Sequence, residues 1–341
     1  MDKNRIEYFD VLRAIAIVYV IAIHSFTLLN VSDSNTLTYH LAIIWRQIIG
    51  CAVPIFLAIS GYFLSKKEVS SNDLYLAFLK KQVPRVYIPM LVWSIPYLLL
   101  SIYTGKDIGK SIIFFFIGGF SVYYFIALIV QYYFLLPFIQ KHGSKIKGLI
   151  ISALVSAACM IVLFYMTNVK NISIPLIFYA GSFPVWIVFF VLGIYLGRRD
   201  QVSVSSKSLF IFTIAGLLIS IAETYLHIYI SGSFQGLGIK LGAFIYSFAV
   251  ILFLFSLQTN KSSNSPIWRY LVYLGRISFG VYLTHLFFLS YLVRPVVNQL
   301  NVNNYFIDQG LIIIITVLCC VIFIWTTRKL NKSLAIKYLG F

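Results

Sequence analysis

The sequence predicts an all-α integral membrane protein, a bundle of about ten transmembrane helices with cytoplasmic N- and C-termini, and three observations carry that expectation. Hydrophobic residues make up 60% of the 341-residue chain and charged residues 11%, against the roughly 25% charged of a soluble domain. Apolar stretches of membrane length, about 20 residues each, follow one another along nearly the whole chain. Lysine and arginine fall mainly on one side of the membrane that those stretches define.

Taken in order, the spans lie near residues 8–30, 40–64, 86–103, 121–139, 148–167, 183–197, 208–230, 239–258, 270–293 and 310–327. The sixth is short and carries Gly193 and Gly197 in its last turns. The connecting loops leave no room for a second soluble domain, so residues 1–341 read as one transmembrane domain. With the N-terminus in the cytoplasm, 19 Lys and Arg lie on that side, Lys3, Arg5, Lys66, Lys67 and Lys261 among them. Five lie opposite (Lys106, Lys110, Lys170, Lys240 and Arg294), while Arg13, Arg46 and Arg276 fall inside spans. This is the positive-inside bias. It accounts for the net charge of +17 through anionic headgroups of the lipid bilayer, without nucleic acid. The first apolar run is interrupted by Asp10 and Arg13 and has no small-residue cleavage pattern, so it is expected to be retained. Cys51, Cys159, Cys319 and Cys320 all fall within spans and lack C-x-x-C spacing, so neither a disulfide framework nor a metal site is expected.

Four segments carry ionisable or polar groups where hydrocarbon is expected. In Phe9–Phe26 these are Asp10, Arg13 and His24, and charge in hydrocarbon is costly enough to mark function. Arg13 and His24 are eleven residues apart, which places them within about 20° of one another on the helix surface and about 16 Å apart along its axis. They form a polar track. Asp10 is about 21 Å from His24, too far to orient its imidazole. Its expected partner is Arg5 or Arg13, which reduces the cost of burying its charge.

The second segment, CAVPIFLAISGYFLSKK from Cys51 to Lys67, places Ser60 and Gly61 near its charged end. A glycine there admits either a ligand or a second helix close to the backbone. The third, KKQVPRVYIPMLVWSIP, has Lys80, Lys81 and Arg85 before a span broken by Pro84, Pro89 and Pro96. These cations suit either a phosphate-bearing ligand, with Arg85 making bidentate contact, or anchoring to headgroups. A Walker loop is absent, so nucleotide hydrolysis is not implied. In the fourth, GRISFGVYLTHLFF, helical spacing puts Ser278, Tyr282 and His285 on one face, with Arg276 opposite His285. That face is either the wall of a hydrophilic cavity or a seam of interhelical hydrogen bonds. Glu223, with His227 one turn later, is the acid placed deepest in another span.

In this order, D-x-L-R with a histidine eleven residues after the arginine, VPIFLAISGYFL, a basic cluster leading into R-x-x-x-P, YYFIALIVQYYFLLP from Tyr123 to Pro137, and SFGVYLTH, the chain resembles the acyltransferase 3 family of integral membrane O-acyltransferases. The resemblance runs from about residue 5 to 290. It implies passage of an acetyl or succinyl group from cytoplasmic acyl-CoA to a hydroxyl of a cell-surface or envelope glycan or a lipid-linked sugar. It also implies a multi-pass protein of the bacterial cytoplasmic membrane, of the stand-alone branch, with no permanently bound cofactor. By position His24 matches the family's essential histidine. Asp10 and Arg13 match the charged residues at the cytoplasmic end of the first helix, and Arg85 the second arginine of the family's basic pair. The first falls on Gln82, with Lys80 and Lys81 beside it.

The expected acyl-CoA-binding set is therefore Asp10, Arg13, Ser60, Gly61, Lys81 and Arg85. An imidazole has an ordinary pKa near 6.5 and accepts a proton close to neutrality, so His24 is the expected general base. Tyr282, Ser60 and Ser278 are the candidate oxyanion donors, and Glu223 either joins the catalytic set as a supporting or acceptor-side residue or simply pairs with His227 near the interface. A covalent acyl-histidine relay is the variant mechanism. The competing classes are a polysaccharide exporter or flippase without CoA turnover, and a sensing membrane domain.

Overall fold

A computed structural model describes residues 6–26, 36–199, 204–231, 239–259 and 263–341. Lys3, Arg5 and Lys261, counted in the charge bias, lie outside these ranges. All regular structure among the described residues is helical, as an all-α membrane protein requires. The helices are α1 (Glu7–Ser25), α2 (Leu37–Ile48), α3 (Ala52–Leu64), α4 (Asn72–Tyr103), α5 (Ile108–Ile117), α6 (Tyr124–Gly143), α7 (Ile146–Phe164), α8 (Leu176–Tyr179), α9 (Phe183–Gly197), α10 (Ser206–Ser231), α11 (Leu241–Ser256), α12 (Pro266–Arg276), α13 (Ser278–Phe288), α14 (Arg294–Gln299), α15 (Tyr305–Leu330) and α16 (Lys332–Leu334).

Eight helical stretches among the described residues are long and apolar enough to cross a membrane: Glu7–Ser25, Leu37–Leu64, Asn72–Tyr103, Ser121–Gly143, Ile146–Thr167, Ser206–Ile230, Ser278–Gln299 and Tyr305–Leu330. Helix α9 and helix α11, on the sequence's sixth and eighth spans, are apolar but shorter, at 15 and 16 residues. At about 1.5 Å per residue they fall short of a hydrocarbon core about 30 Å thick. Large apolar side chains stay exposed on the long helices, Leu154 at 65%, Leu218 at 61% and Ile322 at 61%. Water penalises such a surface and lipid does not.

Local chemistry sets the helix ends. Thr36, Ser71 and Ser265 each accept a backbone N–H three residues on, capping α2, α4 and α12, and Asp107 does so for α5. Such oxygens satisfy donors that the first turn leaves orphaned. A short 3₁₀ turn, Ile49–Cys51, joins α2 to α3. Pro54 then falls in the first turn of α3, where its missing N–H costs nothing.

The chain forms two compact units. The first comprises Met1–Ile59 and Gln201–Phe323, the second Ser60–Asp200 and Ile324–Phe341. In the first, α1 lies against α12 and α13, and α10 pairs with α11 and α2. In the second, α9 packs on α6 and α7, while α4 packs on α5, α6 and the C-terminal turn Ala335–Leu339.

Three expectations are corrected. Helix α4 runs unbroken through Pro84, Pro89 and Pro96, so Lys80, Lys81 and Arg85 ride on the helix itself. Its first turns are charged, which hides them from a hydropathy reading, and within membranes prolines persist in helices where neighbouring groups satisfy the freed carbonyls. The span expected at 270–293 is instead two helices parted at Ile277. Arg276 therefore ends α12 instead of lying inside a span. Helix α5 occupies a stretch expected to be loop, and closes on Gly118 in the left-handed region at φ 70°, which a glycine adopts without strain.

Candidate active site

Helix α1 carries polar clusters at both ends. Near its start Asp10, fully buried, accepts a hydrogen bond from Arg13 Nη1 at 2.9 Å. The Arg276 Nε lies 3.5 Å from the other carboxylate oxygen, and Arg276 Nη2 is 3.7 Å from Glu7. Trp268 Nε1 donates to Glu7 at 3.0 Å. A buried carboxylate is tolerable when it is paired and hydrogen-bonded, and two arginines from two helices do this for Asp10. Of the partners the sequence allowed it, Arg13 makes the bond; Arg5 is not among the described residues.

The opposite end holds His24. Its ring lies against that of His285, centroids 5.5 Å apart with the planes tilted by 46°. His285 is fully buried on α13. Arg294, at the start of α14, donates through Nη2 to the carbonyl oxygens of His24 at 3.1 Å and Ser25 at 3.0 Å. Those carbonyls end α1, where a guanidinium satisfies orphan acceptors and complements the helix dipole. Ser278 and Tyr282 are buried beside His285 on α13, and the Tyr282 and His285 rings are 5.9 Å apart. The shared face read from the sequence thus turns inward, toward the element that carries His24. A π turn, Leu289–Val293, separates His285 from Arg294.

Glu223 lies on α10, and its carboxylate accepts the backbone N–H of Gly242 in the first turn of α11 at 2.7 Å. An anion suits that end of a helix. Beside it, buried Lys240 donates to the Ser220 carbonyl at 2.6 Å and to Thr224 Oγ1. Ser220 Oγ donates to Gln47 of α2 at 3.1 Å, so three helices share one polar network.

The remaining predicted residues belong to the second unit. Gly61 on α3 abuts α9: a Cβ there would press into the Phe190 carbonyl oxygen and lie 3.0 Å from Ile194 N and 3.2 Å from Gly193 Cα. Its missing side chain serves a helix crossing, one of the two uses its position allowed. Ser60 is half-buried, and Lys81 and Arg85 are exposed one turn apart on α4. No cluster of three or more His, Cys, Asp or Glu suited to a metal ion occurs among the described residues.

The acyltransferase 3 family, described as an acyltransferase domain, matches residues 6–325. The chain belongs to that family. It is a multi-pass membrane acyltransferase. No similar curated protein and no similar solved structure was found. In this acyltransferase, three residues beyond the predicted set complete the two clusters on α1. Arg276 and Arg294 reach α1 from more than 250 positions away, a pairing that local sequence does not encode. His285 was visible as a polar residue on an apolar helix, and its spacing from Tyr282 was the signal for its facing inward.

Proposed function

We propose that this acyltransferase moves an acetyl or succinyl group from cytoplasmic acyl-CoA to a hydroxyl of a cell-surface or envelope glycan, or of a lipid-linked sugar, with His24 as general base. Its setting is the bacterial cytoplasmic membrane, and acyl-CoA is a consumed donor, with no resident cofactor. The observation that carries this reading is the disposition of α1, with an imidazole at one end and a carboxylate held between arginines at the other, about 16 Å from Arg13 to His24. A donor whose phosphates are held apart from its thioester suits an elongated site of that kind. Asp10 and Arg13 form its charged end. Lys81 and Arg85, exposed on α4, are the phosphate partners proposed from the sequence, with Ser60 and Gly61 as the remaining donor-binding residues.

The step balances as follows. His24 takes the acceptor hydroxyl's proton as that oxygen adds to the thioester carbonyl. The oxyanion is met by a hydroxyl donor, Tyr282 or Ser278 on α13. Collapse breaks the C–S bond, the ester is released, and the thiolate recovers the proton from His24 to leave as CoA thiol. Glu223 serves the acceptor side of the site.

Purified protein in lipid nanodiscs, given acetyl- or succinyl-CoA and the envelope glycan fraction, is expected to release CoA thiol and esterify the glycan. His24→Ala is expected to abolish both while remaining inserted and monodisperse. Full turnover in that variant overturns the assignment. Loss of one ester-linked acyl group from the glycans of a strain lacking the gene names donor and acceptor together.

A further inference from the structure

We propose that His285 is the positioning residue for His24, the hydrogen-bond acceptor that fixes the tautomer of the catalytic imidazole. The inference rests on the reading of His24 as general base and extends it to a second ring.

Three observations carry it. His285 is fully buried on α13, in a chain where an imidazole in hydrocarbon is costly unless it has a use. Its Nδ1 lies 2.7 Å from the Tyr282 carbonyl oxygen one turn back. A carbonyl only accepts, so Nδ1 carries the hydrogen, and in the neutral ring Nε2 is left as a bare acceptor. That Nε2 is buried and has no hydrogen-bond partner among the described residues. Buried acceptors are nearly always satisfied, and an orphan needs a reason.

The ring packed against it is that of His24. A general-base histidine must present one bare nitrogen to the hydroxyl, so its other nitrogen carries the hydrogen and needs an acceptor to hold the ring. In serine hydrolases a carboxylate supplies that acceptor. Here Asp10 sits at the far end of α1 and Glu223 is bound to the Gly242 amide, whereas His285 Nε2 is an open acceptor on the neighbouring helix. Catalytic hydrogen bonds are often loose before substrate binds and tighten in the complex, so a ring-to-ring contact is the expected resting geometry. When the acceptor hydroxyl gives up its proton, His24 becomes an imidazolium whose second N–H points at His285 Nε2. No further proton moves and no bond to carbon changes at His285.

The test compares His285→Leu, which removes the acceptor at similar volume, with His285→Gln, whose amide oxygen can accept in its place. In nanodiscs the leucine variant is expected to lose at least 100-fold in kcat with the acyl-CoA KM within threefold of wild type. The glutamine variant is expected to recover at least tenfold of that loss. The double variant His24→Ala/His285→Leu is expected to be no slower than His24→Ala, since residues that act as a unit are not additive. Turnover within threefold of wild type in the leucine variant overturns the proposal, as does a glutamine variant no faster than leucine. If His24→Ala is itself active, the general-base reading fails; if it is dead while His285→Leu is active, only the positioning role fails. Should the leucine variant not insert, His285→Ala with added imidazole replaces it: concentration-dependent recovery of turnover supports the assignment, and none overturns it.

Discussion

Gly275 of α12 rests directly on the backbone carbonyl of Asp10 in α1, so close that a Cβ on Gly275 would occupy the space of that oxygen. The contact brings the next residue, Arg276, within ion-pair distance of Asp10 and Glu7. Gly275→Ala must therefore push the two helices apart. Overpacking a filled interior costs about 1–3 kcal/mol, and here the obstructing atom is backbone, which cannot rotate away. The expected result is a lower thermal midpoint for Gly275→Ala in detergent. Gly310→Ala, with nothing within 4 Å of the added carbon, is expected to leave the midpoint unchanged.

The Asp10 cluster predicts an asymmetry between its acid and its bases. Asp10 is fully buried, while the Arg13 and Arg276 side chains keep 27% and 38% of their surface exposed. Removing the acid leaves two guanidiniums that reach water. Removing Arg13 takes the 2.9 Å bond from a fully buried carboxylate whose pair with Arg276 is longer, at 3.5 Å, the costlier error, because weakening the compensation of a buried charge is what destabilises. Arg13→Met is thus expected to lower the thermal midpoint more than Asp10→Asn does. The double variant is expected to regain at least half of the Arg13→Met loss. Additive losses would show that Asp10 is not the residue Arg13 neutralises.

Legibility of the sequence divides along local and distant relationships. The pairing of Asp10 with Arg13 and the inward face of Ser278, Tyr282 and His285 were readable because three- and four-residue spacing fixes helical neighbours. The short apolar α9 was readable because its limits coincide with loss of hydropathy. The start of α4 was not, since Lys80, Lys81 and Arg85 depress hydropathy without stopping a helix, and three prolines imitate a break. Ile277 was also missed, because an apolar residue parts α12 from α13 and leaves no gap in the apolar run. Arg276 and Arg294 act on α1 across most of the chain's length, and such contacts exist only once the fold brings the helices together.

Arg294 holds the end of α1 at the residue bearing the proposed base. With Arg294→Met the His24 and Ser25 carbonyls lose their donor, and the last turn is free to fray. A displacement of about 1 Å in a reacting group costs up to about 100-fold in rate. The variant is expected to lose 10- to 100-fold in kcat while its acyl-CoA KM stays within threefold, measured by thiol release in nanodiscs. An unchanged kcat would separate this cap from the site.

Glu223 makes a hydrogen bond that does not require its charge. Glu223→Gln retains an oxygen for the Gly242 amide but removes the anion beside buried Lys240, so it is expected to lower the thermal midpoint, though less than Glu223→Ala, which also leaves that amide orphaned at a further cost of about 1 kcal/mol. Turnover then separates structure from chemistry. A glutamine variant that is folded yet raises the KM for the glycan acceptor supports an acceptor-side role for the carboxylate. One with unaltered kinetics reduces Glu223 to a helix cap.

Gly61 offers the sharpest separation of packing from ligand approach. Its missing side chain lets α3 meet the α9 backbone at Phe190, Gly193 and Ile194, and one helical turn later Gly197 of α9 admits the carbonyl of Tyr62 and the side chain of Ser65 in the same way. Small residues on facing helices are what allow backbones to approach in a membrane, where van der Waals packing replaces the hydrophobic drive. Gly61→Ala and Gly197→Ala are therefore expected to lower the thermal midpoint to a similar degree, by overpacking of about 1–3 kcal/mol each. Combined, they are expected to cost less than the sum, since either one alone already separates the helices. Acyl-CoA KM is the discriminating measurement. If Gly61→Ala raises KM at least tenfold at a temperature where both variants are folded, and Gly197→Ala does not, the glycine also gives the donor its approach to α3.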